Sequence, residues 1–96
     1  MIHLKGQLIC KNEEEHAAVM AHLDEHIRLT RAEPGCLSFE VSPAKDPMAF
    51  DVRETFRDRA AFDAHQSRTR ASAWFAATRD IVRDFAIEDT QEGAAG

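Results

Sequence analysis

Two segments of alternating apolar and polar residues, separated by prolines that interrupt regular structure, constrain the fold of this chain more than any other feature. Glu33-Pro34-Gly35 ends a preceding helix, because proline disfavours helical geometry in the residue before it and glycine accepts unusual backbone angles. Residues 37–42 then alternate with period two, and Asp46-Pro47 marks a turn before a second alternating segment at residues 50–56. This pattern predicts two consecutive β-strands joined by a short loop.

A charged residue interrupts the apolar face of the second of these strands. Phe50, Val52 and Phe56 share that face with Glu54, so this carboxylate is expected to be partly buried. A buried carboxylate requires an ion pair, a hydrogen bond or a proton. His65, on a helix predicted to begin just after the strand, is the expected partner.

The segments before this region predict one strand and one long helix. Residues 2–10 alternate as a strand, and residues 13–32 have the three- and four-residue apolar spacing of an amphipathic helix. Asn12 is the expected N-cap of this helix, and Glu15 completes a capping box.

The segments after it predict two helices and a last strand. Asp58 caps a short helix at residues 59–67, after which Arg68 to Arg70 are expected to bend the chain. A longer helix carrying Trp74 follows, and the alternation around Phe85 predicts a short final strand. Residues 91–96 contain no core-forming residue and are expected to be disordered, which leaves residues 1–90 as one domain.

The order strand, helix, strand, strand, helix, strand predicts a ferredoxin-like α+β sandwich, an antiparallel sheet with helices on one face. In this topology the third strand lies between the first and the second. Cys10 and Cys36 then fall at the same end of the sheet about two strand spacings, roughly 10 Å, apart. Because that distance exceeds disulfide reach, both are expected to be free thiols. One parity of each strand is expected to face the helices: Leu4 and Leu8, Leu37 and Phe39, Phe50 and Val52, and Phe85 and Ile87.

Composition and charge argue against several classes of partner. The formal net charge of −5, without a basic stripe, disfavours nucleic-acid binding. No apolar run approaches the roughly 20 residues of a membrane span, and no signal peptide is evident, so a soluble cytoplasmic protein is expected. His22 and His26 are four residues apart on the first helix, but no third metal ligand accompanies them. They are interpreted as solvated or rim histidines, and no metal site is predicted.

Several short motifs carry a family resemblance that runs over most of the chain. Glu33-Pro34-Gly35-Cys36-Leu37, Phe39-Glu40-Val41, Asp46-Pro47, Phe50, Glu54, Phe56 and Ala61-Phe62-Asp63-Ala64-His65 resemble the antibiotic biosynthesis monooxygenase (ABM) domain. The resemblance implies a ferredoxin-like homodimer whose sheets pack together, with a pocket between the helices and the sheet. It also implies oxidation of electron-rich aromatic or quinol substrates by O₂ without a metal, a flavin or any other cofactor.

The chain also departs from the family pattern. Where many members carry Ser-Pro-His after the first helical histidine, this chain has Arg68, Thr69 and Arg70, so the second histidine is missing. The third strand ends in Phe56 where a tryptophan is common, and the chain has no tyrosine. A related haem-degrading branch relies on an asparagine in the first strand and a histidine in the last helix. Neither is present at matching positions, which argues against haem degradation.

The candidate catalytic residues are His65 as a base and Glu54 as the carboxylate that holds it. A histidine beside a carboxylate can accept a substrate proton near neutral pH and leave an electron-rich anion that reacts with O₂. The alternative is a structural pair that ties the third strand to the second helix. Arg68 and Arg70 are either a solvated turn or a guide for an acidic substrate. The expected pocket walls are Phe39, Phe56, Phe62 and Trp74.

Three functions therefore stay open. The first is a cofactor-independent monooxygenase that acts on a quinol or an aromatic phenol. The second is a small-molecule-binding or stress-associated module of the same fold without turnover. The third is a proton-transfer isomerase, because the fold also serves lactone isomerases.

Overall fold

The computed structural model describes residues 1–90, so the expected disorder of residues 91–96 lies outside the described part. The chain forms a four-stranded antiparallel sheet with its helices packed on one face, which confirms the ferredoxin-like α+β sandwich. In chain order the elements are β1 (Ile2–Ile9), α1 (Glu13–Arg31), β2 (Cys36–Pro43), β3 (Ala49–Phe56), α2 (Arg59–Arg70), α3 (Ala73–Thr78) and β4 (Val82–Asp89).

The strand order is β2-β3-β1-β4, so β3 lies between β1 and β2 as expected. The register places Leu4 opposite Glu54 on one side and Ile87 on the other, while Leu8 lies opposite Phe50 and Arg83. Because cross-strand partners point to the same face of a sheet, all of these side chains lie on the helix side.

The helices begin where the capping residues predict. The Asn12 side chain accepts a hydrogen bond from the Glu15 backbone N–H, and the Glu15 carboxylate accepts one from the Lys11 N–H. The Asp58 side chain accepts one from the Ala61 N–H at the start of α2. These bonds satisfy N–H groups that the first turn of a helix leaves without partners.

The boundary between α2 and the next helix differs from the prediction. α2 continues through Arg70 instead of bending at Arg68, and α3 has only six residues. Ser72 explains the break, because its hydroxyl donates to the Thr69 carbonyl and accepts from the Phe75 N–H, which caps α3. Val82 has a helical apolar spacing but pairs with β1, so β4 is longer than predicted.

Two residues of the predicted helix-facing set are exposed. Leu37 is 53% exposed because a bulge between Cys36 and Ser38 leaves it without a partner on β3. Ile87, on the edge strand β4, is 51% exposed. The core is otherwise continuous between the sheet and the helices, and its largest members are Ile2, Leu4, Leu8, Val19, Leu23, Phe50, Val52, Phe56, Phe62, Trp74 and Ile81.

Two sequence-based expectations about thiols and membranes can be compared with the described residues. Cys10 and Cys36 are both free, as predicted. No helix within residues 1–90 is long and apolar enough to cross a bilayer.

We predict that Gly35→Ala destabilises the protein by about 1–3 kcal/mol, because overpacking forces neighbouring atoms to move. A Cβ at this position would lie 2.2 Å from the Ala61 Cβ of α2. Urea unfolding of both single variants and of Gly35→Ala/Ala61→Gly measures the coupling between the two sites. Ala61→Gly should cost less in the Gly35→Ala background than alone; simple additivity of the two changes would contradict the close contact.

Candidate functional site

A cavity of about 290 Å³ lies between the helices and the sheet. Its walls combine aromatic rings with several ionisable side chains, which is the usual character of a small-molecule site. The residues that line it are Leu4, Leu8, His26, Phe39, Val41, Val52, Glu54, His65, Gln66, Thr69, Arg70, Trp74, Phe75, Arg83 and Phe85.

Hydrogen bonds fix the orientation of His65, an ionisable residue of α2 that lines this cavity. It is only 2% exposed, and its Nδ1 lies 3.1 Å from both carboxylate oxygens of Glu33. An ionised Glu33 can only accept, so Nδ1 carries the proton and donates it. Nε2 is left as the basic nitrogen, with the Thr69 hydroxyl at 3.4 Å as its nearest hydrogen-bonding group.

Glu33 is itself fixed by Arg68, which lies one helical turn after His65. The Arg68 Nε donates to Glu33 Oε2, and its Nη2 donates to the Thr30 hydroxyl at 2.9 Å. Thr30 lies at the end of α1 and Glu33 lies in the following turn, so this cluster joins the C-terminal end of α1 to α2. Arg68 is therefore a hydrogen-bonded residue of α2 and not a solvated turn residue.

The sequence pattern predicts only a helix stop at Glu33 and favours Glu54 as the partner of His65. The structure corrects that assignment, because Glu33 makes the hydrogen bonds to His65. Glu33 and His65 are 32 residues apart, and no local pattern connects them. The available signal was the spacing of His65 and Arg68, which places an imidazole and a guanidinium on the same face of a helix.

Glu54 lies near His65 but does not hold it. Its Oε1 is 3.7 Å from His65 Nε2, which is too long for a hydrogen bond, and it has no other partner among the described residues. The side chain is on β3 with its cross-strand neighbours Leu4 and Phe39, and the residue is 7% exposed. Burial first, and the nearby Glu33 charge second, raise the pKa of Glu54 to about 7.

Both cavity histidines are disposed to stay neutral. Burial lowers the pKa of His65, and the Arg68 charge adds to this, although the hydrogen bond and charge of Glu33 act in the opposite direction. Burial and the neighbouring positive groups lower the pKa of His26 to about 3. Neutral imidazoles can accept protons or hydrogen bonds from a ligand.

His26 is buried, and the expectation of a solvated or rim histidine is wrong for it. Its ring stacks on Trp74 with centroids 4.6 Å apart and planes 3° apart, and it meets Phe39 edge-on at 5.3 Å. Its Nδ1 has no hydrogen-bond partner among the described residues. The helical spacing of α1 places His26 on the same face as Leu23 and Thr30, both of which are also buried. His22 is half-buried.

The four predicted aromatic wall residues fall into two groups. Phe39 and Trp74 line the cavity. Phe56 and Phe62 are fully packed and do not line it, because they form the layer behind His65. The Phe56 ring lies 4.7 Å from the His65 ring and 5.7 Å from that of Phe62. They therefore pack behind the histidine ring instead of forming the cavity wall.

Arg83 is a site residue that the sequence analysis did not identify. The helical apolar spacing predicts a helix that runs through this position, whereas Arg83 lies on the helix side of β4 and lines the cavity. Its guanidinium donates to carbonyl and hydroxyl oxygens at the end of α3. Arg83 lies on the same face of β4 as Phe85 and Ile87. A positive charge in line with these apolar residues was the signal that could have identified it.

No metal centre accompanies these groups: within residues 1–90, no cluster of three or more His, Cys, Asp or Glu is arranged to bind an ion. A second, larger groove of about 520 Å³ lies on the open face of the sheet. Polar and charged strand residues line much of it, and it contains neither histidine nor a buried carboxylate.

Comparisons with known proteins agree with this fold. The profile of the family described as "Antibiotic biosynthesis monooxygenase" matches residues 1–77. A comparison with curated proteins found no match. Rv0793 from Mycobacterium tuberculosis superimposes with a TM-score of 0.72 at 23% identity, over 97% of each chain.

Two further solved structures carry the family name. A protein from Nitrosomonas europaea, described as a candidate antibiotic biosynthesis monooxygenase, has a TM-score of 0.72 and 19% identity over 95% of this chain and 99% of its own. A similarly described protein from Bacteroides thetaiotaomicron has a TM-score of 0.72 and 26% identity over 95% of this chain and 87% of its own. Since the profile covers most of the sequence, this chain belongs to the antibiotic biosynthesis monooxygenase family.

Proposed function

We propose that this protein is a cofactor-independent monooxygenase that oxidises a quinol or another aromatic phenol with O₂. The observation that carries the proposal is the orientation of His65. Glu33 and Arg68 fix its Nδ1 side, while the basic Nε2 belongs to a cavity with aromatic walls. This is the arrangement of a general base whose tautomer is set by a carboxylate.

The reaction follows from proton and electron balance. His65 Nε2 removes the phenolic proton, and the electron-rich anion transfers one electron to O₂. The resulting phenoxyl radical and superoxide combine to form a C–O bond at a ring carbon that carries hydrogen, which gives a peroxide. Cleavage of the O–O bond, with loss of that hydrogen as a proton, leaves a quinone carbonyl and one water molecule. One oxygen atom of O₂ enters the product and the other leaves as water.

Glu54 is proposed as the acid of this sequence. Its pKa of about 7 keeps much of it protonated near neutral pH, and the carboxyl lies within 3.7 Å of the proposed base. A protonated carboxyl can donate to the distal peroxide oxygen as it departs as water. Base and acid are then distinct groups of one cavity, separated by their environments.

The proton-transfer alternative uses the same two groups. A base and a neutral acid beside one cavity suit an isomerase that removes a proton from one substrate atom and returns it to another. Oxygen consumption separates the two functions, because isomerisation uses none. Ligand binding without any turnover would instead support a binding module.

A homodimer through the open face of the sheet is also part of the proposal. This face carries Lys5 and Arg53 together with Asp51 and Glu88, and Lys5 and Arg53 make no intrachain ion pair among the described residues. A two-fold axis can bring opposite charges of this kind together. The free cysteines suit a reducing, cytoplasmic location.

We expect His65→Ala to lower hydroquinone-dependent oxygen uptake by about 10²–10⁴-fold, because it removes the general base. The matched control is His22→Ala, a half-buried histidine of α1 that does not line the cavity. Circular dichroism and the melting temperature of each variant give the folded fraction. Unchanged activity per folded molecule in His65→Ala would contradict the catalytic role.

We expect Glu54→Gln to stabilise the protein increasingly as pH rises from about 4.5 to 7. Wild-type Glu54 keeps its proton in the folded state up to about pH 7, whereas the unfolded chain releases it near the ordinary value of 4.5. The favourable contribution of Glu54 to the free energy of unfolding is therefore complete at low pH and is lost as pH rises through 7. The free energy of unfolding falls by up to about 1.4 kcal/mol per pH unit in this range.

Chemical unfolding across pH 4–9 measures this difference. Glu14→Gln, which changes an exposed carboxylate in the first turn of α1, is the control and should show no such gain. Parallel stability curves for wild type and Glu54→Gln would show that Glu54 is ionised like an exposed carboxylate.

We expect sedimentation to give a species of about twice the 10.8 kDa chain mass at micromolar concentration. Lys5→Glu/Arg53→Glu should shift it to the monomer, because the two positive charges of the open face become negative beside Asp51 and Glu88. Arg57→Glu/Arg79→Glu, two exposed positions away from that face, should leave it unchanged. A wild-type monomer, or a dimer that is indifferent to the first pair, would rule out this interface.

A further inference from the structure

We propose that the cavity binds a planar aromatic acid and that Arg83 is the residue that binds its carboxylate. The inference rests on the proposed function in taking this cavity as the substrate site, and it adds the chemical class of the substrate. It does not depend on the reaction. Arg83 also lies beyond residues 1–77, so the match to the family profile does not include it.

The position of Arg83 places a cation inside the cavity without a counter-ion. β4 pairs it with Leu8, so the side chain rises from the helix side of the sheet. The residue is half-buried and lines the cavity. Among residues 1–90, no carboxylate oxygen lies within 4.0 Å of the Arg83 guanidinium, so Arg83 has no ion pair there. Loss of hydration by burial lowers the pKa of the guanidinium.

The hydrogen bonds of Arg83 fix the guanidinium and leave one edge open. Nη1 donates to the Thr78 carbonyl at 2.8 Å and the Ile81 carbonyl at 3.1 Å, and Nη2 donates to the Thr78 hydroxyl at 2.9 Å. The guanidinium also lies 5.6 Å from the centre of the Phe75 ring. Two N–H groups remain, that of Nε and the second of Nη2. These are adjacent and parallel, and they match the two coplanar oxygens of a carboxylate.

The other charges of the cavity favour the same ligand. Arg70 is a second cation in the lining. Glu54 is the only carboxylate among the described lining residues, and it is largely protonated below its pKa of about 7. Glu33 is occupied by His65 and Arg68 and does not line the cavity. Although the net charge of the chain is −5, the cavity is therefore lined by the half-buried Arg83 and the exposed Arg70.

The rest of the cavity defines the body of the ligand. Phe39, Trp74, Phe75 and Phe85 provide aromatic walls. The volume of about 290 Å³ is just below the roughly 300 Å³ at which small-molecule sites usually start, and it suits a single ring or two fused rings. A ring carboxylate fits the free edge of Arg83 better than a phenolate does, because a phenolate offers one oxygen and a carboxylate offers two.

The experiment compares 2-naphthoate with 2-naphthamide, which have nearly the same shape but differ in charge. Neither carries a phenolic hydroxyl, so calorimetric titration at pH 6.5 measures binding without oxidation. We expect wild type to bind 2-naphthoate at least tenfold more tightly than the amide. Arg83→Gln should reduce this preference to less than threefold, and Arg83→Lys should give an intermediate value because it retains the charge without the fork.

Arg79→Gln is the matched control, since it removes an exposed arginine from the end of α3 and should keep the full preference. Equal affinities of wild type for the two ligands, or an unchanged preference in Arg83→Gln, would overturn the proposal. If Arg83→Gln does not fold, the wild-type preference together with Arg83→Lys decides. Selective naphthoate binding by a protein that consumes no O₂ with hydroquinones would refute the monooxygenase and leave this inference standing.

Discussion

The hydrogen-bonded cluster of Glu33, His65 and Arg68 is the interaction on which the arrangement of the site depends. It joins the turn after α1 to the middle of α2, next to the close contact of Gly35 with Ala61. Charge-assisted hydrogen bonds are stronger than neutral ones, and a partner left unpaired in this partly buried place costs more than the bond itself contributes. The cluster therefore fixes both the position of α2 over the sheet and the direction of the His65 ring.

Loss of hydration then sets the charge state of the cavity. The two histidines favour the neutral form, and Glu54 favours the protonated form, for the same reason: each group is less stable as an ion when water is removed. Arg83 behaves differently, because a guanidinium keeps its proton even when it is partly buried. The result is a site with neutral acid–base groups and a fixed positive charge at one wall.

The sheet separates two surfaces of different chemistry. On the strands, every second residue faces the helices, so adjacent residues such as Arg53 and Glu54 belong to opposite surfaces. The helix side holds the candidate base, the protonated carboxyl and the aromatic walls. The open side holds mixed charges and a groove lined largely by polar and charged strand residues.

The sequence by itself determined the order of the elements, the caps of α1 and α2, the strand order and the burial of Glu54. These features depend on local periodicity, on side chains that cap helix ends, and on the few topologies that connect such elements. Residues such as Phe39, Trp74 and His65 could be placed at the cavity for the same reason.

Only the tertiary structure decided which groups meet. Glu33 replaced Glu54 as the partner of His65 because two distant turns come together, and His26 was buried because Trp74 covers it. The bulge at Leu37 and the length of β4 were also set by strand pairing and not by local pattern. Distances between side chains far apart in sequence, and the hydration that these side chains lose, are properties of packing. No short-range pattern encodes them.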